Sequence, residues 1–147
     1  MSTVASKLEG PQINKKNKTV LICDDQEDIL YVTAAFLKRK YNVLTAKSGA
    51  ECIELVNDRT KNKGSAIDVI LLDYKLRDMT GEEVARRIRG EIQNRKAVRI
   101  LLITAYELDS AVLSKIHEEN LIDAELKKPF GLSDLERKMT ELVSWPV

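Results

Sequence analysis

The sequence is poor in the residues that build thiol and imidazole chemistry. It has two cysteines and one histidine in 147 residues. Cys23 and Cys52 form no CxxC pair and no disulfide framework, and they read as small buried hydrophobes. His117 is alone, so it builds no histidine-rich metal site. It lies in a helical pattern and completes no Ser-His-Asp set. No apolar run approaches the ~18 residues of a membrane span. The first twenty residues lack the apolar stretch of a signal peptide. These absences predict a cytoplasmic protein without membrane insertion. Neither sign of charge is in excess: 24 basic against 23 acidic residues leave a net +1. That balance argues against a polyanion binder and against direct contact with nucleic acid.

At 44% hydrophobic and 32% charged the chain reads as an ordinary globular protein. Its length suits one domain that buries roughly 68–70% of its unfolded surface. Residues 1–18 are polar, with Gly10-Pro11 and Lys15, Lys16 and Lys18, and are expected to form a flexible N-terminal tail. Residues 19–144 carry the folded pattern. Residues 145–147, Trp145-Pro146-Val147, are expected to form the C-terminal end, with no output domain following.

Within 19–144, short apolar runs alternate with segments of helical period. Strands are expected at Val20–Cys23, Asn42–Ala46, Asp68–Asp73, Arg99–Ile103 and Leu121–Leu126. Helices are expected at Asp25–Lys40, with Ile29, Val32, Phe36 and Leu37 inward, and at Gly49–Asp58, with Ile53 and Val56 inward. Three more are expected: Gly81–Gln93 on Val84, Ile88 and Ile92; one marked by Leu108, Val112 and Ile116; and one on Leu132, Leu135, Met139 and Leu142. Strict alternation predicts an α/β fold with a parallel sheet covered on both faces. Strands one, three and four are nearly continuous apolar runs, as central strands are. Strands two and five are mixed, with Asn42, Thr45, Asp123 and Glu125, and belong at the edges. The expected architecture is a doubly wound five-stranded parallel sheet in the order 2-1-3-4-5.

Ligands of such sheets sit beyond the carboxyl ends of the strands, where strand order reverses. Strand one ends in Asp24-Asp25, strand three in Asp73 and strand four in Thr104-Ala105. Lys127-Lys128-Pro129-Phe130 follows strand five. Three carboxylates in one place repel unless a cation compensates. Mg²⁺ takes oxygen ligands and is commonly held by one or two carboxylates together with phosphate. Helix capping is the competing explanation for Asp24 and Asp25. No glycine-rich loop follows strand one, so dinucleotide and P-loop sites are excluded. A carboxylate nucleophile assisted by a metal remains.

The stretches VLICDDQEDIL, DVILLDYKLRDMTGEE, ILLITAY and ELKKPF resemble the receiver domain of two-component response regulators over about Lys18 to Val143. The resemblance implies a flavodoxin/CheY-like (βα)5 fold and a phosphorylation-dependent signalling switch. Asp73 would be the phosphoacceptor. Mg²⁺ or Mn²⁺ would be held by Asp25, Asp73 and the backbone carbonyl of Lys75, with Asp24 acting through water. Thr104 would follow the phosphoryl group and Lys128 would pair with its charge. Lys128-Pro129 would be cis, Lys127 would face solvent, and Gly81 would close the loop after the acceptor strand. Lys75, Ala105 and Tyr106 would tune the phosphoryl lifetime. The implied donor is a sensor histidine kinase or a histidine phosphotransfer protein; the downstream protein target is unspecified, and the chain is expected as a monomer or weak dimer. Such a domain catalyses only its own Mg²⁺-dependent phosphorylation and dephosphorylation.

Departures from the family pattern stand at Arg77, where many receivers have proline, and at Glu125, the usual place of the switch aromatic. A bulky Tyr106 would shield the site and slow dephosphorylation. Three other readings stand beside the switch. One is a docking module that is never phosphorylated, and one is a receiver cut from a hybrid histidine kinase. The third is a phosphatase of the haloacid dehalogenase type, which would need an acid where Lys75 stands.

Overall fold

A computed structural model describes residues 18–61, 66–91, 98–105 and 108–144. Among the described residues, strands and helices alternate: β1 (Thr19–Cys23), α1 (Glu27–Leu37), β2 (Asn42–Ala46), α2 (Gly49–Lys61), β3 (Val69–Asp73), α3 (Gly81–Glu91), β4 (Arg99–Thr104), α4 (Ser110–Glu118), β5 (Ala124–Lys127) and α5 (Leu132–Ser144). All four strand pairings are parallel, and the order is β2-β1-β3-β4-β5. The predicted sheet order is thus the observed one. The expected tail and Trp145–Val147 lie outside the described residues, apart from Lys18; so do Ile92, Gln93 and Tyr106.

Successive strand residues face opposite sides, so each central strand feeds two cores. Leu21, Cys23, Ile70, Leu72, Ile100 and Leu102 pack with Cys52, Val56, Val84, Ala85, Ile88 and Ile116 from α2, α3 and α4. Val20, Ile22, Val69, Leu71, Leu101 and Ile103 pack with Leu30, Ala34 and Leu37 of α1 and Leu135, Met139 and Leu142 of α5. Strands β3 and β4 are buried throughout, whereas β2 and β5 are largely half-exposed.

Some expectations need correction. Helix α1 begins at Glu27, not Asp25, and ends at Leu37. Its inward residues are Leu30, Thr33, Ala34 and Leu37. Ile29 and Val32 point outward, Val32 being 54% exposed, beside Tyr31 at 76%. Two apolar sets with helical spacing interleave on this helix, and the sheet covers only the one containing Leu30 and Ala34. Leu132 is likewise exposed at the start of α5. Strand β5 begins at Ala124: Leu121 and Ile122 are buried ahead of it. Asp68 precedes β3 and uses its carboxylate to accept the Thr19 N–H at 2.8 Å. Helix α2 runs on to Lys61.

Asp123 is more than a polar edge residue. Buried Arg89 on α3 donates to Asp123 Oδ2 at 2.8 Å, to the Val98 carbonyl at 2.7 Å and to the Leu121 carbonyl at 3.0 Å. Asp123 also accepts the Ile100 N–H at 2.8 Å. This network ties α3 to β4 and to the entry of β5 at the amino end of the sheet, remote from the carboxyl-end residues. Arg89→Met strands Asp123 and two carbonyls. It should lower the unfolding free energy by about 3 kcal/mol, measured by urea denaturation.

Candidate functional site

The carboxyl ends of β1, β3, β4 and β5 open into a cleft of about 290 Å³. Asp25, Gln26, Asp73, Tyr74, Lys75, Ala105, Leu108, Asp109 and Lys128 line it. The predicted acids converge: Asp24, Asp25 and Asp73 each place a carboxylate oxygen within 4.8 Å of the others. Asp24 and Asp73 are buried and Asp25 is partly buried.

Backbone bonds between neighbouring strands and loops fix these positions. The Asp24 N–H donates to the Ala46 carbonyl and the Tyr74 N–H to that of Ile103; the Lys128 N–H donates to that of Thr104. Asp24 Oδ1 accepts the Gln26 N–H at 2.9 Å, which holds its carboxylate toward the cleft. Capping does not account for Asp25, since α1 has Gln26 at its N-cap position and no side-chain cap bond. Gly81 is required by close approach. A Cβ there would lie 2.8 Å from the Asp73 carbonyl oxygen and 2.9 Å from Tyr74 Cα. Both are backbone atoms, so the loop after β3 could not close with a larger residue.

Lys128 Nζ lies 3.2 Å from Asp73 Oδ1 and 4.0 Å from Asp24 Oδ2. The Lys128-Pro129 bond is cis, and Lys127 is exposed. One ammonium at Asp73 and one guanidinium at the rim near Asp25 leave three carboxylates short of positive charge. Burial pushes Asp73 up to about 6; Lys128 pulls it down, while Asp24 and Asp25 push it further up. Burial also raises Asp24, against the Gln26 N–H and Lys128, which lower it. The donor set is all oxygen, anionic and short of positive charge, and so it suits a hard divalent cation.

Thr104 Oγ1 is buried and makes no hydrogen bond. Such a group ordinarily finds a partner. Here it sits at the end of β4 with a hydroxyl free to accept or donate. Ala105, next in the chain, is small and lines the cleft. Glu125, at the expected switch position on β5, pairs with His117 Nε2 on α4 at 3.1 Å, so the lone histidine has a partner across that face. Lys75 is exposed at the rim and forms an antiparallel bridge with Thr80.

Sequence reasoning missed two contacts in the β3–α3 loop. Asp78 accepts the Gly49 and Ala50 N–H groups at 2.9 Å, capping α2 from a distant segment. Arg77 reaches back to Asp25, with Nε 3.8 Å from Oδ2 and a guanidinium nitrogen 3.4 Å from the backbone carbonyl. No local signal marks either contact, since both depend on how β1, α2 and β3 come together.

Fold and site together define a flavodoxin-like α/β domain with an acidic, cation-seeking centre at the β1/β3 switch point. The chain belongs to the response regulator receiver domain family, whose family model matches residues 20–140. Domains of this family are phosphorylation-dependent signalling switches. The chain is 31% identical to sporulation initiation phosphotransferase F of Bacillus subtilis over 81% of this chain and 88% of that protein. It is 29% identical to a putative transcriptional regulator of Haloferax volcanii over 97% of this chain, but spans only 22% of that relative's length. Among solved structures it is similar to the response regulator TrrA of Thermotoga maritima in complex with Mg²⁺ and BeF. There the TM-score is 0.70, with 26% identity over 85% of this chain and 98% of that one. The chemotaxis protein CheY4 of Vibrio cholerae gives a TM-score of 0.72, with 25% identity over the same shares. No described helix is long and apolar enough to cross a membrane.

Two consequences follow for the metal-free protein. Asp73 has a folded pKa of about 6 against 3.8 for the ordinary group, so the folded state binds its proton more readily. The associated stability is full below about pH 4 and is lost as pH rises through 6. In EDTA, Asp73→Asn should raise stability at pH 7.5 by about 1–2 kcal/mol, once screening on the open side of the cleft is allowed for. It should also flatten the pH dependence between 4 and 6 in calorimetry. Thr104→Val removes a buried hydroxyl that has no partner. It should leave stability unchanged or raise it by about 1 kcal/mol in thermal unfolding.

Proposed function

We propose that residues 19–144 are a phosphorylation switch in which Asp73 is the phosphoacceptor. The observation that carries this reading is the placement of Asp73, with Asp24, Asp25 and Lys128 around it, at the floor of an open cleft. A carboxylate oxygen of Asp73 bonds to phosphorus as the P–N bond of a phosphohistidine donor breaks and the imidazole departs. Asp24, Asp25, Asp73 and the backbone carbonyl of Lys75 would hold Mg²⁺ or Mn²⁺. When bound, that cation supplies positive charge opposite the phosphoryl oxygens. Lys128 offers its ammonium to the same charge. Thr104 offers the unpartnered hydroxyl, and by turning toward a phosphoryl oxygen it draws in the loop that leads to α4. Positioning and electrostatics carry most of such a reaction. The domain turns over no separate substrate.

The donor is a histidine kinase or a histidine phosphotransfer protein, as the family's chemistry requires. Ile29, Tyr31 and Val32 give α1 an exposed apolar face close to Gln26, which lines the cleft. A phosphodonor protein can rest there while its histidine reaches Asp73.

Intact-protein mass after incubation with acetyl phosphate tests the reading. Wild type should gain one phosphoryl group, and only with Mg²⁺ present; Asp73→Asn should gain none. No adduct, together with no Mg²⁺-dependent beryllofluoride complex, would leave a docking module that is never phosphorylated as the better account.

A further inference from the structure

The β3–α3 loop carries a cation to the rim of the acidic centre. Arg77 is 83% exposed along its side chain, yet its guanidinium turns inward to Asp25. It meets that residue twice, at the carboxylate and at the backbone carbonyl. The backbone that presents it is held on both sides. Leu76 is buried in the core shared by α2 and α3, and the Asp78 carboxylate is fixed to the Gly49 and Ala50 N–H groups. The bridge between Lys75 and Thr80 closes the loop beneath it. The backbone on either side of Arg77 is therefore held in place, with its guanidinium within reach of Asp25. The three carboxylates are thus met by Lys128 on one side and by Arg77 on the other.

We propose that Arg77 is a tethered counter-ion that competes with the divalent cation for Asp25 and so sets the Mg²⁺ concentration at which the site fills. This rests on the reading of Asp24, Asp25 and Asp73 as the cation site. The physical basis is charge. A guanidinium near Asp25 satisfies part of the demand for positive charge, and it repels a second cation arriving at the same oxygen. Filling the site requires Arg77 to leave Asp25. Its exposure makes that release inexpensive, so the effect is a modest weakening of metal affinity rather than a block. Arg77 is a positioning and affinity-setting residue in this scheme, with no part in forming or breaking a bond.

The test is Mg²⁺ titration of the full chain by isothermal calorimetry, with the shift of the unfolding midpoint against Mg²⁺ concentration as a second readout. Arg77→Ala and Arg77→Gln should bind Mg²⁺ about threefold to tenfold more tightly than wild type. The gap should shrink as ionic strength rises. Arg87→Ala, which removes a cation paired with Glu83 on α3, should leave affinity unchanged. An Arg77→Ala affinity within twofold of wild type, or weaker, overturns the proposal. Asp25→Asn separates this from failure of the site itself. If Mg²⁺ binding is lost in Asp25→Asn but unmoved in Arg77→Ala, only the role of Arg77 falls. If wild type binds no Mg²⁺, the cation site and the role of Arg77 fall together.

Discussion

Strands β1, β3 and β4 are buried on both faces, so their polar side chains can meet water or a ligand only near the strand ends. In a parallel sheet all carboxyl ends point the same way. Asp24-Asp25, Asp73 and Thr104 are therefore delivered to the same edge of the sheet by the burial that makes the core. Burial then sets their chemistry. Asp73 is lifted to about 6 first by loss of water and then by its acidic neighbours, while Lys128 offsets only part of that. The site is an unfinished charge balance, held in place by apolar packing beneath it.

Much of this was legible in the amino-acid order because the relevant signals are local. Continuous runs such as Val69–Leu72 announce central strands, and mixed ones such as Asn42–Ala46 announce edges. The acids and the lysine stand immediately after those runs, so placing the strands brings Asp24, Asp25, Asp73 and Lys128 together. Local signals failed where two patterns overlap or where partners come from afar. Ile29 and Val32 have helical spacing as good as that of Leu30 and Ala34, and only the position of the sheet chooses between them, while Phe36 and Leu37 pack inward as expected. Asp123 looks like a solvated edge residue until Arg89, far away in sequence, is folded against it. Asp78 and Arg77 look like ordinary loop polarity until α2 and β1 are brought beside them.

The departures from the family pattern lie in the parts that adjust the site rather than form it. Arg77 puts a guanidinium where many receivers have a proline, and it meets Asp25. Glu125 puts a carboxylate where an aromatic ring usually stands, and it pairs with His117 across the α4–β5 face. A half-exposed carboxylate held by an imidazole differs from a ring in both polarity and burial.

The measurement that bears most directly on the unfinished charge balance is a carbon-detected NMR titration of the aspartate carboxyls, with and without saturating Mg²⁺. Without the cation, the Asp73 carboxyl should titrate near 6, well above the ordinary aspartate value of 3.8. With Mg²⁺ its titration should move clearly downward, because a bound cation favours the carboxylate. If Asp73 titrates near 4 in both conditions, the cluster is an ordinary solvated surface, and the cation-seeking centre described above does not exist.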